Sequence, residues 1–239
     1  MIKKALEYIV GMSAPTLTNI DGYDYSDKPL HRIDYNPKAE AIEMSTLTSL
    51  VEYIKNGVDE MPGKMIVHVE SPTSVVLYSA LDYQRKRETL VEVNAVLPDF
   101  EFGRFMEHEA FCIGLQSEFI NSADRALLLK FAGTVEAGSV SEYGDDGITQ
   151  KATVKTGIAS KGDAIVPSPA NLRPFRTFLE VEQPESSFIF RMKEDKYSKA
   201  IQCALFEADG GAWKLEAMQA IKAYLDSELE GVAGFTIIY

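Results

Sequence analysis

The sequence predicts an α+β protein with mainly antiparallel sheets. Helical and strand periods occur in separate blocks, short turn signals link successive strands, and 46% of the 239 residues are apolar against 25% charged. Strands and helices that come in blocks favour antiparallel sheets over a regularly alternating, doubly wound fold. A chain of this length can bury one large core or two small ones.

The first 45 residues predict an N-terminal arm or lead-in. A weak helix over 3–10 is followed by a polar stretch that holds Asp21-Gly22 and three prolines and that shows no sustained period. Such a segment is suited to reaching a neighbouring subunit.

Residues 46–138 predict an α+β subdomain made of a helix, a three-strand meander and a helical hairpin. The first helix covers 46–56, where apolar residues recur at i, i+3, i+4 and i+7 before Gly57. A period of two then predicts strands near 65–70, 75–81 and 91–97, joined by short links as in an antiparallel meander.

The predicted helical hairpin follows the meander. Its first helix covers 102–120 and its second begins near Ser122 or Asp124 and ends before Gly138. The first helix carries a stripe at alternating steps of three and four: Phe105, His108, Cys112, Leu115 and Phe119.

Residues 139–239 predict a β-rich subdomain with a long C-terminal helix. A half-exposed strand over 148–156 precedes a connector rich in proline and aromatic residues over 167–184. Two strands near 187–193 and 200–208 lead through Asp209-Gly210-Gly211 into the helix, and a terminal strand ends the chain over 232–239. The helix covers 213–229 and its predicted apolar stripe is Leu215, Met218, Ile221, Tyr224, Leu225 and Leu229.

Charge and cysteine usage exclude several classes of partner. The formal net charge of −12 and the isoelectric point near 4.8 leave little cationic surface for phosphates, so we expect no direct nucleic-acid binding. Two cysteines 91 positions apart, Cys112 and Cys203, predict a reducing compartment rather than a disulfide scaffold. No apolar run approaches the roughly 20 residues that cross a bilayer, so we expect a cytoplasmic protein without a membrane partner.

No catalytic or cofactor signature stands out, and we expect no cofactor and no resident metal. His108 and Cys112 lie four apart and could share a helix face, which is compatible with two metal ligands or with a histidine in a core or interface. Asp209-Gly210-Gly211 precedes a helix as a phosphate loop does, yet it lacks the glycine patterns of nucleotide sites and fits a strand-to-helix turn.

Two runs in the C-terminal half resemble the YfdQ-like family of phage and prophage proteins. The first, over 172–191, begins Leu-Arg-Pro-Phe-Arg-Thr-Phe, and the second, over 204–213, reads Ala-Leu-Phe-Glu-Ala-Asp-Gly-Gly-Ala-Trp. A weaker likeness extends over 75–239 and includes the helical region 118–129. The resemblance implies a phage or prophage origin and expression inside a bacterium, and it implies no catalytic residues.

The leading hypothesis is a non-enzymatic phage protein that self-assembles into a homo-oligomer in the host bacterial cytoplasm. Two alternatives stay open: an acidic binder of a host defence or nucleic-acid enzyme, and an enzyme of phage nucleotide or DNA metabolism. Two arginines around a rigid proline can dock carboxylates, and an apolar terminal strand can pack against a neighbour. The predicted contacts are Arg173, Phe175, Arg176, Phe178, Phe235, Ile237 and Tyr239.

Overall fold

Two compact units make up the chain, Met1–Ala39 and Glu40–Tyr239. We call them the N-terminal unit and the body. The structure is a computed structural model that describes residues 2–13, 15–29, 38–59, 63–137, 139–145, 150–156, 160–165, 168–195, 197–198 and 200–239. The predicted turns at 61–63 and 144–147, and the start of the strand predicted over 148–156, lie partly outside these residues.

The elements follow one another in blocks. In chain order they are α1 (Ile2–Ser13), β1 (Leu17–Ile20), β2 (Tyr23–Ser26), β3 (Ile42–Met44), α2 (Leu47–Asn56), β4 (Met65–Ser71), β5 (Ser74–Tyr78), β6 (Thr89–Asn94), β7 (Met106–Glu107), α3 (His108–Ser117), α4 (Ala123–Ala137), β8 (Ser139–Asp145), β9 (Gln150–Thr156), β10 (Ser160–Ile165), β11 (Ala170–Leu172), β12 (Ser186–Glu194), β13 (Ile201–Glu207), α5 (Ala212–Glu228) and β14 (Phe235–Ile238). The predicted α+β class with mainly antiparallel sheets is confirmed.

The N-terminal unit contains a hairpin that its periodicity does not predict. β1 and β2 pair antiparallel across Asp21 and Gly22, whose φ angles are 54° and 83°. Two successive positive φ angles are typical of a type I′ turn, for which Asp-Gly is a preferred pair. The strands are only four residues long, so they carry too little alternation to be found by period alone.

A five-stranded sheet in the order β14-β4-β5-β6-β3 forms the first layer of the body. The predicted meander β4-β5-β6 is antiparallel throughout, whereas the edge strands β14 and β3 run parallel to β4 and β6. Helices α2 and α5 cover one face, and the first core lies between them and the sheet, with Leu50, Val67, Val93, Ile221 and Leu225 fully buried.

Helix α2 matches its prediction closely. Thr46 lies at its N-cap, where the side-chain oxygen accepts a hydrogen bond from the backbone N–H of Ser49, and Gly57 ends the helix. Side-chain capping satisfies a backbone donor that has no partner inside the helix. The four apolar positions that predict the helix all face the first core: Leu47, Leu50, Val51 and Ile54.

A four-stranded antiparallel sheet in the order β11-β12-β13-β7 forms the second layer. The predicted hairpin of α3 and α4 lies against it, and the second core is rich in phenylalanine, with Phe111, Phe119, Phe131, Phe188 and Phe190. The predicted boundary between the two subdomains lies at residue 138. Strand β7 lies before this boundary and pairs with β13, which lies after it. The predicted division into subdomains at 45 and 138 stays a prediction.

The predicted start of the first hairpin helix near residue 102 is wrong. Gly103 has a φ of 74° and donates its N–H to Leu205, and residues 106–107 form β7, so the helix begins only at His108. Phe105 therefore lies outside the helical stripe and contacts the ring of Phe206.

A three-stranded antiparallel sheet in the order β10-β9-β8 completes the described strands. Among the helices that the structure describes, none has the length and apolar character needed to cross a membrane.

Helix α5 buries one side against β4 and β14. Ala217, Ile221 and Leu225 are buried within the helix, and Leu229 is buried just beyond its end. Of these four, Ile221, Leu225 and Leu229 belong to the predicted stripe. Leu215 departs from the prediction, because its side chain is 57% exposed. The stripe therefore starts one turn later than its first leucine.

We predict that Leu225→Ala lowers the free energy of unfolding by about 2 to 5 kcal/mol, because it leaves a cavity in the first core. Leu215→Ala, on the same helix, is the matched control and should change it by no more than about 0.5 kcal/mol. Urea unfolding of both variants measures the difference. Equal losses would contradict the described orientation of α5.

Candidate functional site

The segment that holds the predicted contact residues is fixed to the end of α3. Phe175 donates its backbone N–H to Glu118 at 2.9 Å, and the N–H of Ile120 donates to Arg173 at 2.9 Å. Phe119 and Pro174 form a bridge between these two hydrogen bonds. The segment is therefore part of the packed body.

The two arginines of this segment lie in different environments. Arg173 is partly exposed and pairs with Glu182 at 2.7 Å and with Glu185 at 3.6 Å. Arg176 is only 7% exposed. An exposed ion pair contributes about 0.2 to 1 kcal/mol to the free energy of unfolding, whereas removing the partners of a buried guanidinium lowers that free energy by far more.

Arg176 is surrounded by hydrogen-bond acceptors and aromatic rings. Its Nη1 donates to Glu207 Oε1 at 2.8 Å, and its Nη2 donates to Ser186 Oγ. The guanidinium carbon lies 3.9 Å from the ring centroid of Trp213 and 5.6 Å from that of Phe188. A planar guanidinium can stack on an aromatic ring and donate at its edge at the same time, which a lysine cannot do.

The Asp209-Gly210-Gly211 turn completes this arrangement. Ser186 Oγ donates to Asp209 Oδ2 at 2.6 Å, and the N–H of Gly211 donates to Oδ1 at 3.0 Å. Gly210 and Gly211 have φ angles of 64° and 82°, which residues other than glycine rarely adopt. The turn leads directly into α5, where Trp213 is the second residue. The geometry therefore supports the interpretation of Asp209-Gly210-Gly211 as a strand-to-helix turn.

We call Arg176, Ser186, Glu207, Asp209 and Trp213 the arginine cluster. Its members come from the runs 172–191 and 204–213, so these two separate stretches of sequence meet at one place. Sequence reasoning selected Arg176 as a contact between copies but missed Ser186 and Glu207, because nothing in a single sequence pairs them with an arginine.

The charges of the arginine cluster offset one another. Burial lowers the pKa of Arg176 to about 10, and the carboxylates of Glu207, Asp209 and Glu216 oppose this shift. Burial also acts to raise the pKa of Asp209, yet its hydrogen bonds from Ser186 and Gly211 and the charge of Arg176 leave it below its ordinary value. At neutral pH the cluster thus holds the Arg176 cation near the ionised carboxylate of Asp209.

Gln183 joins this region to the first core. Its Oε1 accepts from the N–H groups of Arg176 and Thr177 at 3.0 and 3.2 Å, and its Nε2 donates to the carbonyl of Phe178 at 3.0 Å. Thr177 Oγ1 donates to the carbonyl of Pro72 in the β4–β5 turn at 2.6 Å. The loop after Pro174 is therefore held by side-chain hydrogen bonds on both sides.

Arg176 and Phe178 have little surface to offer another molecule. Phe178 is 1% exposed and belongs to the first core, and Arg176 is buried in the arginine cluster. Phe175 is half-buried. Their role as contacts between copies stays a prediction, and among these residues Arg173 and Phe175 have the accessible side chains.

The terminal strand β14 is an edge strand with its apolar side turned inward. Phe235 and Ile237 are partly buried and pack against the first core, while Tyr239 is 49% exposed. One edge of β14 pairs with β4, and no described strand pairs with the other. The contact role of these three residues also stays a prediction.

His108 and Cys112 do come together. His108 is buried, and its Nε2 lies 3.6 Å from Cys112 Sγ on the same face of α3. Within the described residues, no group of three or more histidine, cysteine or acidic side chains is arranged to hold a metal ion. His31 lies outside the described residues. Burial raises the pKa of Cys203 to about 12, which makes it a poor nucleophile.

The N-terminal unit carries a surface that sequence reasoning missed. Every residue of α1 from Ile2 to Gly11 is exposed, and at 100° per residue five apolar side chains form one stripe: Ile2, Ala5, Leu6, Ile9 and Val10. In the hairpin, Ile20, Tyr23 and Tyr25 share one exposed face. Two features of the sequence indicate this surface: the helical spacing of the apolar residues in 2–10 and the Asp21-Gly22 pair, which favours a hairpin turn.

An apolar groove of about 210 Å³ opens at the start of α2. Val96 and Leu179 stand at its sides and are 79% and 70% exposed. We use the name apolar groove for the space between eight residues: Ser45, Thr46, Ala95, Val96, Leu97, Phe178, Leu179 and Glu180.

No protein-family model, curated protein or solved structure matches this chain.

We predict that Arg176→Lys lowers the free energy of unfolding by about 1 to 3 kcal/mol, because lysine cannot donate to both acceptors while stacked on Trp213. Arg173→Lys, three residues away in the same segment, is the matched control and should cost less than about 1 kcal/mol. Chemical unfolding at neutral pH compares them. If Arg176→Lys proved as mild as Arg173→Lys, the arginine cluster would not stabilise the fold.

Proposed function

We propose that this chain is a non-enzymatic protein of phage or prophage origin that self-assembles into a homo-oligomer in the host cytoplasm, with the N-terminal unit as the contact. The proposed origin rests on the resemblance of 172–191 and 204–213. The proposed assembly rests on one observation above all: the apolar side chains of the N-terminal unit are uncovered.

The exposure is concentrated in a short stretch of chain. Nine large apolar side chains within 2–25 are more than half exposed, against seven in the described part of 40–239. Scattered exposed apolar residues are normal for soluble proteins, whereas a contiguous set of this density marks an interaction surface.

The elements of the N-terminal unit need a partner to be stable. A helix of 12 residues is marginal in water, and so is a two-stranded hairpin. None of the described side chains of this unit is buried, so no core of its own offsets the conformational entropy of folding. Docking on another molecule would supply the missing burial.

The exposed apolar side chains of the N-terminal unit set an upper bound on the apolar area that this unit can bury in contacts. We take about 200 Å² for an aromatic side chain and about half of that for an aliphatic one, so the exposed parts of the nine side chains total on the order of 800 Å². A typical specific interface buries about 800 Å² on each partner.

The distribution of charge also favours contact through this unit. Its five basic and five acidic residues cancel, so the whole formal charge of −12 lies on 40–239. Two bodies repel each other, whereas a neutral N-terminal unit can approach a second body without this penalty.

We predict that Leu6→Ser with Ile9→Ser converts the oligomer into a single chain of 26.5 kDa, because it removes the centre of the apolar stripe. Lys4→Ser with Glu7→Ser is the matched control: it places two serines on the polar face of the same helix and leaves the net charge unchanged. Light scattering of each protein across a dilution series measures the mass.

The wild type and the polar-face variant should both give the same multiple of the chain mass. A wild-type mass of 26.5 kDa at every concentration would contradict self-assembly and favour a host partner or a ligand. An apolar-face variant that keeps the wild-type mass would show that the contact lies elsewhere on the chain.

A further inference from the structure

We infer that the apolar groove of the body binds the apolar stripe of α1 from a second copy of the chain. This inference rests on the proposed self-assembly and adds the surface that receives the N-terminal unit. Four features carry it: the exposure of the groove, its rigidity, its size and its charge.

The groove is lined by two large apolar side chains that are themselves exposed. Val96 follows β6 and Leu179 lies in the loop after Pro174, and both line the groove while being more than two-thirds exposed. Phe178 contributes to the lining and is itself part of the first core. An apolar opening above a packed core, with uncovered leucine and valine at its sides, is suited to receive apolar side chains.

The walls of the groove are already in place. Glu180 accepts hydrogen bonds from the backbone N–H and the hydroxyl of Thr48 at 3.2 and 3.4 Å, which attaches its loop to the first turn of α2. Gln183 holds the same loop from the other side through the carbonyl of Phe178. A preformed groove binds without a further cost of ordering its walls.

The size of the groove matches the anchors of a helix. If each carbon fills about as much space as one water, roughly 30 Å³, a volume of 210 Å³ admits one or two aliphatic side chains. Leu6 and Ile9 are neighbours at i and i+3 on α1, which is the spacing that a helix uses to place two anchors in a groove.

Charge favours this occupant over a second acidic body. Lys3 lies beside the apolar stripe and Lys4 on the polar face of α1, whereas Glu180 lines the groove and the body as a whole carries −12. With Glu7 counted, α1 carries a net charge of +1, and this small positive charge favours its approach to an acidic body.

The inference can be tested by disulfide formation between two single variants. Leu6→Cys and Leu179→Cys are placed on two differently tagged chains, co-expressed and exposed to mild oxidation. We expect a disulfide-linked pair that contains one chain of each kind and that disappears on reduction. Lys4→Cys co-expressed with Leu179→Cys is the matched control and should give no such pair, because Lys4 lies on the polar face.

The wild-type chain treated in the same way reports on Cys112 and Cys203 and should stay unlinked. If an oligomer forms and the Leu6→Ser with Ile9→Ser variant dissociates it, yet Leu6→Cys and Leu179→Cys never link, the inference is overturned while the proposed function stands. Linking of Leu6→Cys only to itself would likewise overturn it, since the stripes would then pack on each other. A wild type that is monomeric throughout removes both proposals.

Discussion

The body depends on the burial of one charged side chain, the guanidinium of Arg176. Desolvation opposes this burial, and the chain offsets it with the carboxylate of Glu207, the hydroxyl of Ser186 and the ring of Trp213. Arg176 lies in the segment 170–178, which passes from the second core, where Leu172 is buried, to the first core, where Phe178 is buried. The two layers of the body thus meet at the arginine cluster, in which Arg176 Nη1 and Nη2 are hydrogen-bonded while Arg176 Nε and Trp213 Nε1 are buried without a hydrogen-bond partner.

Much of the fold follows from local patterns, while the arginine cluster does not. Periodicity predicts α2, the meander and α5 because each pattern reflects burial against one layer. Periodicity fails where tertiary contacts decide the structure. Residues 106–107 form a strand because they pair with β13, and Leu215, the first leucine of the α5 pattern, stays exposed. Arg176 was expected on a surface because its partners lie 10 to 37 positions further along the chain.

The two units of the chain differ in how far they bury their apolar side chains. The body has two cores, to which the runs over 172–191 and 204–213 contribute buried residues such as Leu172, Phe178 and Leu205. The N-terminal unit has apolar side chains and no buried ones among those described. An assembly built on this plan would keep acidic bodies apart and would connect them through neutral segments, which limits association to the intended contact.

The most direct test of this account is amide hydrogen exchange of the wild-type chain in concentrated and in highly dilute solution. The account predicts that 2–26 are protected only in concentrated solution, because α1 and the hairpin are ordered by a second copy, while strands such as β4 and β12 stay protected in both. Protection of 2–26 that does not change with concentration, or that is absent at every concentration, would contradict it.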